Sequence, residues 1–548
     1  MGIKRYTANA DTTITNAFKP NLTTRGSGSN MGRADSMEIF SIYAQESSGS
    51  SELSRTLLNW DISSIETDRT NGAIPASGSV NFVLRMFNAV TPFTLPRDFD
   101  LVVAAVSGAK SGDNTPISFS WQEGNGLDME GYTDITRDGT GANWINMGSS
   151  STDGVVKWGA AGNTVGGAFF TSAQAPDLVY KQNFQNGDED LEIDITGMVE
   201  SWIANSAAGY GTPFPRYGLG VFLTSSQEVF VAAADATTVV PANTDGARRS
   251  YYTKKFFARS SEFFFRRPVI EARWEENLKD DRGNFFYSSS LATGEENLNT
   301  LFLYNYFRGQ LRNIPSLDAT NQVIYVSFYS GSADDTIPSG SRLELVQDGA
   351  HVVDPSALFV TGGVTSTAGI YTASVCLTAA ATPLQTIYDV WSTAVDAGTF
   401  VEFHTGSFEP EKINLQPQNS TPQYVTSITN LKPVYSARET ARLRVFTREK
   451  NWCPNVYTKV VADVPPFIVE SGSFSVVRVA DNLTAIAHGT GSIKYTELSF
   501  DASGSYFDLD MGLLEPGYAY KINLAFYNGS IGDWQEQSEE FKFRVEEY

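Results

Sequence analysis

Three histidines, His351, His404 and His488, are all the imidazole this chain has, and none stands in an HExxH or similar spacing. Each reads as a strand or turn residue before it reads as a ligand or base. No GxSxG elbow and no Walker loop occurs. The GLG at Gly218–Gly220 lacks the third glycine of a dinucleotide fingerprint and sits at the start of a strand, not after one. Cys376 and Cys453 are far apart and fall in different predicted domains, so they build neither a disulfide framework nor a zinc site. Both read as buried thiols. Carboxylates are plentiful, and a glycosidase would need two of them facing each other across a sugar-sized cleft. No local motif singles out such a pair. The densest acidic stretches are NGDEDLEID (Asn186–Asp194) and the Asp508/Asp510 pair. Loop carboxylates of this kind can hold calcium through hard oxygen ligands, although EF-hand spacing is absent. The expectation is no catalysis and no cofactor, with structural calcium left open.

Two sets of residues suit binding better than catalysis. From Arg248 to Arg273 the chain carries Arg248, Arg249, Lys254, Lys255, Arg259, Arg266, Arg267 and Arg273 against only Glu262 and Glu271. Tyr251, Tyr252, Phe256, Phe257, Phe263, Phe264 and Phe265 are interleaved with them. The first seven basic residues form a candidate docking strip for an acidic protein surface, because a planar guanidinium pairs bidentately with carboxylates. Basic residues with aromatics also suit single-stranded nucleic acid. The plain alternative is a strand pair with its bases in solvent and its rings in the core. The second set is Trp121, Trp144 and Trp158, in or near loops, which could stack on sugars or fill a core.

These residues need elements to hold them. At 548 residues the chain exceeds one core. Its 12% aromatics and 46 glycines favour strands and turns over helices. Residues 1–275 read as strands broken by long polar loops. Leu191, Ile193 and Ile195 alternate with Glu192 and Asp194, which is the period of a half-buried strand. Thr196 then stands as a helix cap, with Met198, Val199, Trp202 and Ile203 at helical spacing. Lys254–Trp274 reads as a long strand or strand pair, and Glu275–Gly283 as a charged, turn-like boundary. Residues 284–413 contain seven short candidate strands, among them FFYSSSL (Phe285–Leu291), TLFLYNYFRGQL (Thr300–Leu311) and RLELVQDG (Arg342–Gly349). Residues 423–548 contain the LEPGYAY stretch, whose Tyr520 sits where fibronectin-type sandwiches place a tyrosine corner. The predicted fold is all-β: a jelly-roll-like sandwich at 1–275, then two immunoglobulin-like sandwiches at 284–413 and 423–548.

The first of these blocks carries a resemblance. TANADTTITNA (Thr7–Ala17), RTLLNWDISSI (Arg55–Ile65, read as a core strand), SVNFVLRMF (Ser79–Phe87) and Trp121–Trp144 are followed by DITGMVESW, GLGVFLTSS and FFARSSEFFFRRPVIEARW. In that order they resemble the DNRLRE-domain family of β-sandwiches over residues 1–275. The naming hexapeptide is absent and the loops are long. The resemblance implies the sandwich fold. It also implies carbohydrate binding, which some cellular members perform beside glycan-active enzymes. Residues 276–548 resemble nothing that can be named.

Charge and processing signals narrow the function classes. A net charge of −22 opposes binding to nucleic acid or to an anionic membrane. The N-terminal MGIKRYTANADTT has no apolar h-region, Tyr6 stands where a myristoylation motif wants Ser or Thr, and no run approaches 18 apolar residues. An acidic, β-rich, multi-domain chain with long loops and no catalytic motif suits a virion protein of a tailed bacteriophage. Such a protein is assembled in host cytoplasm and docks on the neck, tail or capsid surface. The expected partners are other virion proteins and copies of itself, with no nucleic acid and no membrane. The alternative is a carbohydrate-binding module protein that contacts host-surface glycans.

Overall fold

The computed structural model describes residues 2–19, 21–43, 51–91, 95–107, 120–127, 141–150, 154–159, 164–173, 175–206, 214–233, 239–248, 250–315, 317, 323–331, 340–345, 358–365, 367–378, 384–393, 401–411, 423–452 and 467–548. The chain divides into two compact units, Gly2–Glu275 and Glu276–Tyr548. Both are built almost wholly of antiparallel strands.

In the N-terminal unit the first and last strands lie side by side. Gly2–Thr7 pairs with Val269–Trp274, then follow Asn81–Met86 and Leu191–Asp194. The facing sheet runs Ser250–Phe257, Ser36–Tyr43, Glu52–Asn59, Leu219–Leu223, Phe99–Ala105, Val179–Phe184, with Ala10–Thr15 also on Glu52–Asn59. Phe82, Leu84, Ile270 and Ala272 of the smaller sheet meet Leu58, Leu101, Val103, Val221 and Phe256 of the larger one. Neighbouring side chains on a strand point to opposite faces. Leu57, beside Leu58, therefore joins a second core on the far side of the larger sheet, with Ile14, Trp121, Trp144 and Trp158. Burial on both faces explains why TLLNW and LVVAAV are runs and not alternations.

Two short helices close this sandwich, and both depart from the sequence reading. Thr196 is the first helical residue of Thr196–Ala204, not its cap. The capping contact comes from Asp194, whose Oδ1 accepts the Thr196 amide at 2.9 Å. The RTLLNWDISSI stretch is not one strand: it ends at Asn59, and Asp61 starts the helix Ile62–Thr70 by accepting the Ser63 amide at 3.1 Å. Gly218 answers a close approach. It has φ +72°, and a Cβ there would lie 2.0 Å from the Leu58 carbonyl oxygen.

In the C-terminal unit, the described residues of 284–411 form a six-stranded antiparallel sheet and a separate two-stranded ribbon. The order of the sheet is Asn299–Tyr304, Ile370–Val375, Val360–Val364, Ile324–Tyr329, Ile387–Ser392, Glu402–Phe408. FFYSSSL is not one of its strands. Phe285 fills the core, while side-chain amides replace a ladder: Asn299 bonds both backbone groups of Phe286 at 2.9–3.0 Å, and Asn297 those of Ser289 at 2.8–3.1 Å. RLELVQDG makes only a bridge from Arg342 to Tyr329 before it passes out of the described residues.

Residues 423–548 form two facing sheets. One runs Tyr424–Ile428, Thr440–Glu449, Gly504–Asp510, Ser499–Asp501. The other runs Val434–Ser436, Phe541–Glu546, Ala519–Asn528, Gly472–Arg478, Thr484–Ile486, with Asp533–Glu536 on Ala519–Asn528. Phe474 of the second sheet stacks on Phe507 of the first with centroids 4.1 Å apart. Tyr520 donates to the Glu515 carbonyl at 2.9 Å, as a tyrosine corner requires.

The stretch read as a charged, turn-like boundary starts where the chain divides, at Glu275/Glu276, and holds a 3₁₀ turn, Asp281–Gly283. Lys279 bridges Phe500 in parallel: the Asp280 amide donates to the Phe500 carbonyl and the Phe500 amide to the Leu278 carbonyl, each at 3.0 Å. Arg282 then bonds Asp280 at 2.6 Å, the Phe302 carbonyl at 2.5 Å and buried Asp389 at 2.7 Å, and Trp391 donates to the same Asp389 carboxylate at 2.8 Å. This segment ties the six-stranded sheet to the sandwich that follows it.

Candidate docking surface

The basic strip begins on the edge strand Ser250–Phe257, which pairs with Ser36–Tyr43 from end to end. Alternation along it splits the strip. Lys254 and Phe256 turn inward, while Lys255 turns outward to Glu38 at 3.0 Å. Lys254 is a correction: it is buried, not available for docking. Its ammonium donates to Asn88 Oδ1 at 2.8 Å and to the carbonyls of Gly187 and Glu189 at 2.9 and 2.7 Å. The Phe184 and Phe256 rings lie about it at 5.0 and 5.1 Å. Burial lowers its pKa to about 8 against the pull of Asp190, Glu189 and Asp188.

That contact also decides the acidic turn Asn186–Asp190. The Glu189 carboxylate accepts the amides of Asn186 and Gly187, each at 2.7 Å, and Asp190 accepts that of Asn88 at 2.7 Å. The Lys254 ammonium is held at this turn by the Gly187 and Glu189 carbonyls. Asp508 pairs bidentately with Arg442 at 2.9 Å, and Asp510 caps the Gly512 amide. Among the described residues no group of three His, Cys, Asp or Glu is placed to hold a metal ion.

Between the strands Ser250–Phe257 and Val269–Trp274 the chain leaves one sheet for the other through a knuckle, residues 258–268. Its root is fixed. The Arg259 amide donates to buried Asp11 at 2.5 Å, and the Arg259 guanidinium grips both oxygens of Glu123 at 2.8 Å. Burial pushes the Asp11 carboxyl up to about 7 despite that amide bond. Arg267 donates twice to the Ser261 carbonyl, at 3.0 and 2.8 Å, and closes the loop on itself. A single 3₁₀ turn, Phe264–Arg266, then throws rings outward: Phe263 is 45% and Phe264 56% exposed. The Arg266 guanidinium lies 5.4 Å from the Phe257 ring and 5.9 Å from Phe263, and that of Arg267 lies 5.2 Å from Phe264. Rings flanked by guanidinium planes are held in place although they face solvent.

The predicted strip is thus broken up. Arg248 stacks on Phe230 at 3.8 Å, Arg249 lies outside the described residues, and Arg259 is committed to Glu123. The outward part of the knuckle is compact: Phe263 and Phe264, with the Arg266 and Arg267 guanidiniums beside their rings.

The three tryptophans are a second correction. Trp121, Trp144 and Trp158 are at most 4% exposed, and each indole N–H donates to a backbone carbonyl, of Tyr217, Val239 and Asn143 in turn, at 2.7–2.8 Å. Their faces are covered by the second core, so none can stack on a sugar. Cys376 is buried, and Cys453 and His351 lie outside the described residues. His404 is exposed on the strand Glu402–Phe408; His488 is half-buried with Nδ1 3.2 Å from Ser473 Oγ.

Sequence reasoning missed one cavity. An open cleft of about 560 Å³ in the C-terminal sandwich is lined by Tyr424, Lys450, Gln535, Glu536, Gln537 and Glu539, among others. Its walls are the strand Tyr424–Ile428 and the chain leading into Phe541–Glu546. Those side chains come from segments more than 80 residues apart, so no local motif announces them. Neither a scan against protein-family models nor a search of curated proteins finds a match to this chain.

Proposed function

We propose that this chain is a non-enzymatic structural protein of a tailed-bacteriophage virion, an accessory component that docks on the neck, tail or capsid surface. Its first unit is taken as a DNRLRE-like sandwich that has become an assembly module. The observation that carries the reading is the Phe263–Arg267 knuckle. Aromatic and arginine side chains dominate the energetic centres of protein interfaces. Here they stand together, fixed at the root by Arg259–Glu123, on a chain whose net charge is −22. A surface presenting carboxylates to Arg266 and an apolar patch to Phe263 and Phe264 is the partner that fits. Mass spectrometry of purified particles tests the assignment: the chain is expected at stoichiometric level, and its absence from particles that are otherwise complete removes it.

A second reading has a specific observation in its favour. The cleft around Tyr424 offers amides, carboxylates, a lysine and one ring, which is the chemistry that holds a polyhydroxylated ligand. A host-surface glycan contact, if present, belongs there and not at the tryptophans. Glycan-array binding that Tyr424→Ala abolishes would establish it; a flat array removes it.

A further inference from the structure

The six-stranded sheet of the C-terminal unit carries a projection that none of the preceding reading uses. After the strand Asn299–Tyr304 the chain forms a separate two-stranded ribbon, Tyr306–Phe307 paired with Gln310–Leu311. Its turn has Arg308 at φ +51° and Gly309 at φ +78°, the left-handed pair of a two-residue hairpin. An arginine in that conformation is unfavourable, and asparagine or aspartate would suit it better. The base is held firmly. Asn305 accepts the Arg312 amide at 3.0 Å and donates its own amide to Gly369 at 2.8 Å, its side chain bonds the Arg312 carbonyl at 2.6 Å, and Tyr371 accepts the Ile314 amide at 2.8 Å. The tip faces solvent, with Tyr306 56% and Phe307 51% exposed. Arg308 and Arg312 both place their guanidinium over the Phe307 ring, at 5.3 and 5.6 Å.

In the same unit Arg282, Arg442, Arg444 and Arg478 are each paired with a carboxylate. Arg308 and Arg312, like Arg342, Arg438 and Arg448, have no carboxylate partner among the described residues. Carboxylates are not scarce, since the chain has 62 Asp and Glu against 40 Lys and Arg. Two guanidiniums with no carboxylate partner among the described residues and two exposed rings, on a pre-ordered hairpin, are complementary to an acidic surface. The chain itself carries carboxylates in excess, with a net charge of −22.

We propose that the Tyr306–Arg312 hairpin docks on the acidic surface of a second copy of this chain. Tyr306 and Phe307 are buried at the contact, and Arg308 and Arg312 pair with the partner's carboxylates. A ribbon ordered before contact loses little conformational freedom on binding. The inference stands on different residues from the knuckle and does not depend on the virion assignment.

Sedimentation velocity of the full chain tests it, at an ionic strength of about 0.15 M, where long-range repulsion between acidic bodies is screened but contact pairs persist. The wild-type chain is expected to self-associate with concentration. Arg308→Glu with Arg312→Glu, and separately Phe307→Ala, are expected to weaken association by roughly tenfold or more. All three side chains are exposed, so an unchanged circular-dichroism spectrum is expected and checks folding. A wild-type chain that stays monomeric overturns the proposal, as does a charge-reversed chain that associates as well as wild type. If the chain is monomeric yet the charge-reversed form fails to enter particles, the hairpin serves another partner and the self-contact is overturned while the docking reading stands. A self-associating chain that is missing from particles supports the hairpin and removes the docking reading.

Discussion

Glu271 shows how the charged residues of the N-terminal unit are used. It lies on the face of the smaller sheet opposite Ile270 and Ala272. Arg5 reaches it at 2.8 Å, Arg85 at 3.1 Å and Arg273 at 2.6 Å, and Arg273 also holds Glu192 at 2.7 Å. Burial alone would raise the Glu271 carboxyl; the three guanidiniums outweigh it and hold the group well below the usual carboxylate range. Glu271→Gln leaves buried guanidiniums without their counter-charge, a change that costs about 3–5 kcal/mol in comparable buried pairs. Urea unfolding at neutral pH is expected to show that loss. Because the folded pKa is depressed, the stability Glu271 contributes is present above the ordinary carboxylate pKa and fades as pH falls below it. Trp144 gives a second check at this scale. Its burial predicts that Trp144→Ala costs about 3–5 kcal/mol, read in the same unfolding assay, and leaves glycan binding untouched.

At the scale of elements, the Lys279–Arg282 segment behaves oppositely to Glu271. Burial raises Asp280 to about 6 against its bonds to Arg282, and raises Asp281 to about 6 against the Thr300 amide. Between the ordinary Asp pKa and about 6 the folded state binds more protons than the unfolded chain. These two groups therefore make the C-terminal unit more stable as pH falls from 7 toward 4. Asp281→Asn keeps an acceptor for the Thr300 amide and removes one titration. Its melting temperature is expected to exceed that of wild type at pH 7.5, with the difference closing by pH 4, as scanning calorimetry at several pH values would read. The same segment marks what the sequence could not tell. Alternation located most strands, because period-two burial is written in consecutive residues. It could not say that Lys254 faces inward, since KKFF puts one lysine on each face whichever way the strand turns. It hid the helix Ile62–Thr70, because an apolar run continues across Asp61. It read Glu275–Gly283 as turn-like but could not give what orders it, because Phe500 and Asp389 lie over a hundred residues away.

For the whole molecule, the knuckle and the hairpin share one design. Each displays solvent-facing phenylalanine beneath arginine on a body with 62 acidic residues. The FFFRR run was visible as a basic-aromatic strip. Its true extent was not, because Arg259 and Lys254 are taken up by Glu123 and the acidic turn through contacts that no spacing encodes. The hairpin was hidden inside Thr300–Leu311, read as one strand: the strand ends at Tyr304, and the hairpin's own strands are only two residues long. The account's central claim is that the exposed knuckle holds the protein on its particle. Incorporation tests it directly. Wild-type chain and a Phe263→Ala, Phe264→Ala, Arg266→Ala variant are supplied in equal amounts to assembling particles, and their ratio is measured by quantitative mass spectrometry after purification. Depletion of the variant by roughly tenfold or more is predicted; equal incorporation of the two chains would contradict the account.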